Sequence, residues 1–360
     1  YLIPAAYWAL QNGERVVIST NTIALQDQLI HKDIPDMITA LNLQINASVL
    51  KGRSNYLCPR RLTLMRRRKL ENVDELRVLA KVLVWLQSST SGDRNEINLN
   101  GSAESLVWSR LSAEDEGCKL ETCLKRTGGR CPFYKARMAA ESAHILVVNH
   151  ALLLADTAAE NRILPDYDYL IVDEAHHLES ATTEAMSFRL RAPDVTRLVR
   201  EIGSTEQGIL GQLLNLAKPL LKPSDLSTLT IAIERATDQA FRLDNAMTAY
   251  FKALDFVLEE LREGKPLGTY PQQARILPAT RTLPCWLDVE ITWEQAKANL
   301  EALLEALKTV REILRALAEA DVEEAEDLLG SLASINGDLQ EIGIQVDNLT
   351  LSPDPNQIYW

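Results

Sequence analysis

At 360 residues with 46% hydrophobic side chains, the chain is long enough for two or three domains with a sizeable core. Its formal net charge of −12 excludes a uniformly basic nucleic-acid binder but leaves room for a local basic surface. No run is long enough to cross a bilayer, and Tyr1 to Leu10 lacks the basic flank of an export signal, so a protein of the reducing cytoplasm with no membrane partner is expected.

An amphipathic helical pattern begins at Tyr1 without an initiator methionine, as expected of a piece of a larger protein. Arg15 to Thr20 (RVVIST) predicts a short strand, and Asn21 to Ile30 a helix. Gln44 to Leu50, Ile145 to Val148 and Tyr169 to Val172 predict three more strands. Strands alternating with helices imply an α/β fold with a doubly wound parallel sheet. Residues 54–143 break this alternation, and an insertion between two strands of one sheet is the simplest account. After about Phe188 the pattern turns helical: Ile209 to Leu221, Asp225 to Arg262 and Trp293 to Ala320. Leu300, Leu303, Leu307, Val310, Leu314 and Leu317 alternate steps of three and four, a packing seam. The acids that follow (Glu319, Asp321, Glu323, Glu324, Glu326, Asp327) predict a solvated face, and Gly264 to Pro284 a loop or short strands.

Three groups of residues carry chemistry. First, the apolar run Tyr169-Leu170-Ile171-Val172 ends in Asp173 and Glu174, followed by Ala175, His176 and His177. A buried parallel strand reads as such a run, and open α/β sheets place ligand chemistry at its C-terminal end. Two carboxylates there suit a Mg²⁺-nucleotide site, one holding the metal and the next activating a water; the plain alternative is a strand end with an acidic helix cap.

Second, Cys58, Cys118, Cys123 and Cys131 are spaced x₅₉, x₄ and x₇, with Pro132 after the last. Iron–sulfur cluster, structural zinc and unrelated thiols all remain open on these spacings, which lack the paired knuckles usual for zinc. Cys285, beside Trp286, reads as an ordinary buried thiol.

Third, Lys51 to Lys69 (KGRSNYLCPRRLTLMRRRK) holds eight basic residues and no acid. Arg53, Arg60, Arg61, Arg66, Arg67 and Arg68 could neutralise strand phosphates and Tyr56 could stack on a base; a solvated helix face is the alternative.

In combination these features resemble the DinG/XPD-like superfamily 2 DNA helicases with an iron–sulfur domain. VDEAHHL (172–178) resembles the DEAH box, VVISTNTIALQDQL (16–29) motif Ia, and KGRSNYLC (51–58) and the Cys118–Cys131 run the two ends of the cluster domain. AHILVVNHALLL (143–154) is similar to the strand returning to the motor. The resemblance covers roughly residues 1–185. It implies a partial RecA-like motor domain (1–53 and 144–187), an inserted iron–sulfur domain (54–143), a mainly helical Arch domain (188–355) and a return towards the motor (356–360).

By the same resemblance, Asp173 would hold Mg²⁺, Glu174 would position the attacking water, and His176 would couple nucleotide state to DNA binding. Thr20, Asn21, Thr22 and Gln26 would lie on the DNA backbone, with Asn149 and His150 also facing DNA. Cys58, Cys118, Cys123 and Cys131 would ligate a 4Fe-4S cluster. The implied activity is ATP-dependent 5′-to-3′ unwinding in DNA repair, with single-stranded DNA and duplex junctions as partners; no protein partner is indicated. These residues contain no G-x-x-x-x-G-K-[ST] loop and no second motor domain, so no ATP turnover is expected of this chain by itself. Two other readings stand beside this one: a non-catalytic nucleic-acid-binding module with motor remnants, and a zinc-stabilised interaction scaffold.

Overall fold

The computed structural model describes residues 1–67, 70, 72–114, 123–124, 127–262, 274–319 and 322–360, with the side chains of 67, 323 and 327 outside the description. Two compact units divide the chain, Tyr1–Ser187 and Phe188–Trp360.

In the first unit, α1 (Leu2–Asn12) ends at Gly13, whose φ of 69° gives the left-handed turn into β1 (Val16–Thr20). Then come α2 (Ile23–Gln28), a π-turn over Leu29–Asp33, α3 (Ile34–Leu41) and β2 (Ala47–Val49). The insertion holds α4 (Pro59–Arg67), α5 (Val73–Trp85), α6 (Gly101–Leu111) and α7 (Pro132–Glu141). The chain returns through β3 (Ile145–Asn149), α8 (His150–Ala158), β4 (Tyr169–Val172) and α9 (Leu178–Ala185).

The four strands pair in parallel in the order β2-β3-β1-β4. The expected α/β fold with an interrupted parallel sheet is therefore present. Val and Ile fill β1 and β3, and period-2 alternation sends their side chains to two cores. Val16, Ile18, Ile145 and Val147 pack with Ala5, Ala6, Leu29, Ile34 and Met37. Val17, Leu146 and Val148 pack with Leu50, Tyr56, Cys58, Cys131 and Phe133, so the ends of the insertion share a core with the sheet. The rest of the insertion packs on itself through Leu57, Leu62, Val78, Val82, Trp85, Trp108 and Leu111.

β4 corrects the expectation of a buried strand. It pairs with β1 alone among the described residues, and Tyr169 and Leu170 are each 42% exposed. Its apolar run belongs to a sheet edge.

The second unit is helical: α10 (Ala192–Ile202), α11 (Gly208–Ala217), α12 (Pro223–Leu261), α13 (Trp286–Glu319) and α14 (Glu323–Thr350). All six residues of the predicted seam are buried in one core. The seam starts earlier than expected, because Trp286 and Val289 extend it N-terminally from Trp293. Of the acidic run, Glu319 and Glu324 are exposed, while Asp321 and the side chains of Glu323 and Asp327 lie outside the described residues.

Candidate functional site

Because the strands are parallel, their C-terminal ends meet along one edge. Thr20 lies opposite Asn149, and Ser19 opposite Val172. Just beyond, the Asp173 N–H donates to the Ser19 carbonyl at 2.8 Å, fixing the first carboxylate at the sheet edge. Tyr1 donates its hydroxyl to Asp173 Oδ2 at 3.0 Å. Burial, with the Asp173 bond next, pushes the Tyr1 phenol above its ordinary range, so it stays a donor.

Glu174 takes a left-handed backbone, φ 54° and ψ 40°, which a non-glycine residue adopts at a cost. That turn starts a short 3₁₀ segment, Ala175–His177, and brings the Glu174 carboxylate to 3.4 Å from His176 Nδ1. The His176 and His177 rings stand 4.0 Å apart. Glu174, His176 and His177 offer ligand atoms within 4.8 Å of one another, a grouping of three that stands by itself among the described residues. Asp173 is half-buried and Glu174 exposed, so both carboxylates are open to solvent.

The turn from β1 into α2 lies at the same edge. Thr22 is exposed and caps α2 by accepting the Leu25 N–H at 3.3 Å; Asn21 is half-buried. Thr20 and Gln26 are fully buried, so their side chains face inward. Gln26 Nε2 donates to the Leu50 carbonyl at 3.4 Å. Asn149 accepts the Leu152 N–H at 2.9 Å as the cap of α8. His150 is buried, with Nδ1 2.7 Å from Ser19 Oγ. The structure thus brings the predicted edge residues together, but presents only Asn21, Thr22 and Asn149 towards solvent.

The basic run divides in the same way. Tyr56 is only 4% exposed, its ring lies 5.8 Å from that of Phe133, and its Oη accepts the Lys51 N–H at 3.1 Å. Burial pushes this phenol up to about 12. The expectation that Tyr56 stacks on a base is corrected: the ring is core, because its hydroxyl finds a backbone donor inside. The Arg53 guanidinium lies 4.9 Å over Phe133. Arg61 donates to the carbonyls of Ser109 and Ser112, at 3.1 and 3.3 Å, tying α4 to the end of α6. Arg60 is half-buried and Arg66 exposed; the Arg67 side chain and Arg68 lie outside the described residues. Lys51, the first cation of the run, is 1% exposed and bridges Asp27 and Asp93.

Cys58, Cys123 and Cys131 are all buried, and Cys118 lies outside the described residues. Cys58 and Cys131 each stand directly before a proline that opens a helix, α4 and α7. The Cys58-Pro59 pair repeats the Cys131-Pro132 pair, a signal that sequence reading noted at the second position and missed at the first. Burial pushes the Cys58 thiol up, against the Arg61 N–H and the charges of Arg60 and Arg61, which favour thiolate. Buried thiols beside helix N-termini are a donor set that fits a thiolate-bound metal group. Cys285 is half-buried against the helical core, the place of an ordinary thiol.

Comparison with known proteins matches residues 94–195 to the DEAD_2 family, a span that holds three of the cysteines and the DEAH string. The chain is 34% identical over 227 residues to the 3′-5′ exonuclease DinG of Bacillus subtilis (strain 168), covering 62% of this chain and 24% of that protein. It is 33% identical over 220 residues to the ATP-dependent helicase DinG of Mycobacterium tuberculosis (strain ATCC 25618 / H37Rv), covering 56% and 33%. It is 32% identical over 216 residues to the ATP-dependent DNA helicase YoaA of Escherichia coli (strain K12), covering 56% and 31%. The chain therefore spans about a quarter to a third of the length of these relatives.

Proposed function

We propose that this chain, which matches the DEAD_2 family over residues 94–195 and is similar to DinG and YoaA proteins over part of its length, supplies part of an ATP-driven DNA motor of the DinG-like superfamily 2 helicases. One observation carries this reading. Two carboxylates follow β4 at the C-terminal edge of a parallel sheet, beside the β1–α2 turn, where open α/β sheets hold their ligands.

In this reading Asp173 would hold Mg²⁺, which when bound would neutralise charge developing on nucleotide phosphates. The Tyr1 hydroxyl fixes the rotamer of Asp173, and the left-handed turn at Glu174 swings its carboxylate to accept a proton from a water. His176, 3.4 Å from Glu174, links that carboxylate to the turn leading into α9. Asn21 and Thr22 meet the backbone of single-stranded DNA, with Arg66 to Arg68 as a further phosphate contact; Thr20, Gln26 and His150 act from inside by shaping the edge. Asn149 stands with Asn21 and Thr22.

Cys58, Cys118, Cys123 and Cys131 would hold a 4Fe-4S cluster, which supplies a cross-link between the ends of the insertion. Residues 54–143 serve as the cluster domain, and 188–355 as the Arch. Unwinding runs 5′ to 3′, on substrates with single strands and duplex junctions, in the cytoplasm. ATP turnover belongs to the longer protein, which would supply the phosphate-binding loop.

The test is a DNA-stimulated ATPase assay on the longer protein. Glu174→Gln should abolish turnover while Mg²⁺-nucleotide binding persists. Undiminished turnover in that variant would remove the carboxylate pair from the catalytic role. Mg²⁺-dependent turnover by this chain alone, lost in Glu174→Gln, would overturn the division of labour.

A further inference from the structure

We propose that Lys51 is a positioning residue, which ties the DNA-facing turn after β1 to the cysteine-bearing insertion. The inference rests on the single-strand-binding reading above and adds to it a residue that never touches DNA.

Three stretches meet at the Lys51 ammonium. Lys51 follows β2; its Nζ lies 2.7 Å from Asp27 Oδ1 at the end of α2 and 2.5 Å from Asp93 Oδ2 in the insertion. Asn95 Nδ2, also in the insertion, donates to the other Asp27 oxygen at 2.9 Å. Asp93 is itself fixed: its Oδ1 accepts the Asn95 N–H at 2.9 Å, and its backbone bridges Tyr56. The Lys51 N–H is held by the Tyr56 hydroxyl. Removing one partner of such a buried pair would leave the other uncompensated, so the three stretches are held to one another.

What this register controls follows from α2. The helix has six residues, and Gln26 alone among them is buried. Apolar anchoring lies beyond it, where the run continues into the π-turn and Leu29 is buried, so within α2 polar ties carry the positioning. Its side-chain ties are Gln28 to Asp33 in the π-turn, Gln26 to the Leu50 carbonyl, and Asp27 to Lys51 and Asn95, with Leu50, Lys51 and Asn95 lying beside or inside the insertion. At its other end Thr22 caps the turn that faces solvent. Moving the insertion loop around Asp93 moves α2, and with it Asn21 and Thr22.

Binding of a fluorescent oligo-dT to this chain across a salt series, with hydrogen exchange on residues 23–28, tests the proposal. Lys51→Met should weaken binding by about fivefold or more, a typical coupling between linked sites. The slope of log affinity against log salt should stay unchanged, because Lys51 neutralises no phosphate. A slope smaller by about 0.7 would make Lys51 a direct phosphate ligand and overturn the proposal, as would unchanged affinity. Asp93→Asn, which keeps the cap on Asn95, serves where Lys51→Met does not fold. It should weaken binding in the same way and raise exchange in α2. Exchange needs no DNA: should the parent chain fail to bind the oligonucleotide, the single-strand reading falls, while unchanged α2 protection in Asp93→Asn would separately overturn the tie.

Discussion

Cys58 and Cys131 occupy equivalent places at opposite ends of the insertion: each is buried in the same apolar cluster, and each precedes the proline that opens a helix. The proline spends no hydrogen-bond donor at the first helical position, and the helix end favours negative charge on the preceding sulfur. Burial opposes that charge at Cys58. A bound cation would resolve the conflict. Cys58→Ser or Cys131→Ser in anaerobically purified chain should therefore lose most of the iron and acid-labile sulfide, together with any brown colour. Full iron in both variants would take these two cysteines out of the ligand set. One zinc per chain without colour would move them to a structural zinc site.

Direct phosphate contact in single-stranded DNA binding should come from the end of the basic run that begins at the exposed Arg66, and the buried Lys51 at its beginning should act by position alone. Arg66, Arg67 and Arg68 changed together to Ala should weaken binding and lower the salt slope by about 0.7 for each phosphate left without its arginine. Anisotropy titrations at several salt concentrations decide this. An unchanged slope in the triple variant would return these arginines to a solvated face.

The sheet was legible because its strands are short continuous runs rich in Val, Ile and Leu, and the seam because Leu300 to Leu317 repeat at helical spacing. The DEAH edge was legible because an apolar run ends in two acids. What escaped were properties of partners distant in sequence. Lys51 looks like its basic neighbours until Asp27 and Asp93 are seen around it. Tyr56 and His150 look like ligand-facing residues until the Lys51 N–H and the Ser19 hydroxyl absorb their polar atoms. The exposure of β4 follows from its place in the strand order, which its own composition does not encode.

In the helical unit, Tyr250 is buried with its hydroxyl 2.9 Å from Thr350 Oγ1, and burial pushes its phenol from 10.0 up to about 12. The unfolded chain loses this proton first as pH rises. Stability from Tyr250 is therefore complete below pH 10 and is lost between pH 10 and about 12. A shift of this size amounts to roughly 2 to 3 kcal/mol. Urea melts followed by helical circular dichroism should show a steep alkaline loss in the parent chain and a shallower one in Tyr250→Phe. Equal slopes in the two would place the alkaline sensitivity elsewhere.

Glu174 sets backbone comfort against chemistry. Its φ of 54° suits glycine, and a carboxylate-bearing residue holds that conformation at a cost of about 1 to 3 kcal/mol. The 3.4 Å contact with His176 offsets little of this, since both side chains are solvent-exposed. Glu174→Gly should thus melt at or above the parent temperature, even after the entropy that glycine adds to the unfolded chain. Glu174→Gln keeps both the side-chain shape and the strained turn, and should melt with the parent. In the longer protein both variants should lose ATP turnover, because both lack the carboxylate. A clear drop in melting temperature for Glu174→Gly would show that the carboxylate stabilises the turn. Turnover surviving in Glu174→Gln would leave the strained conformation without its proposed catalytic reason.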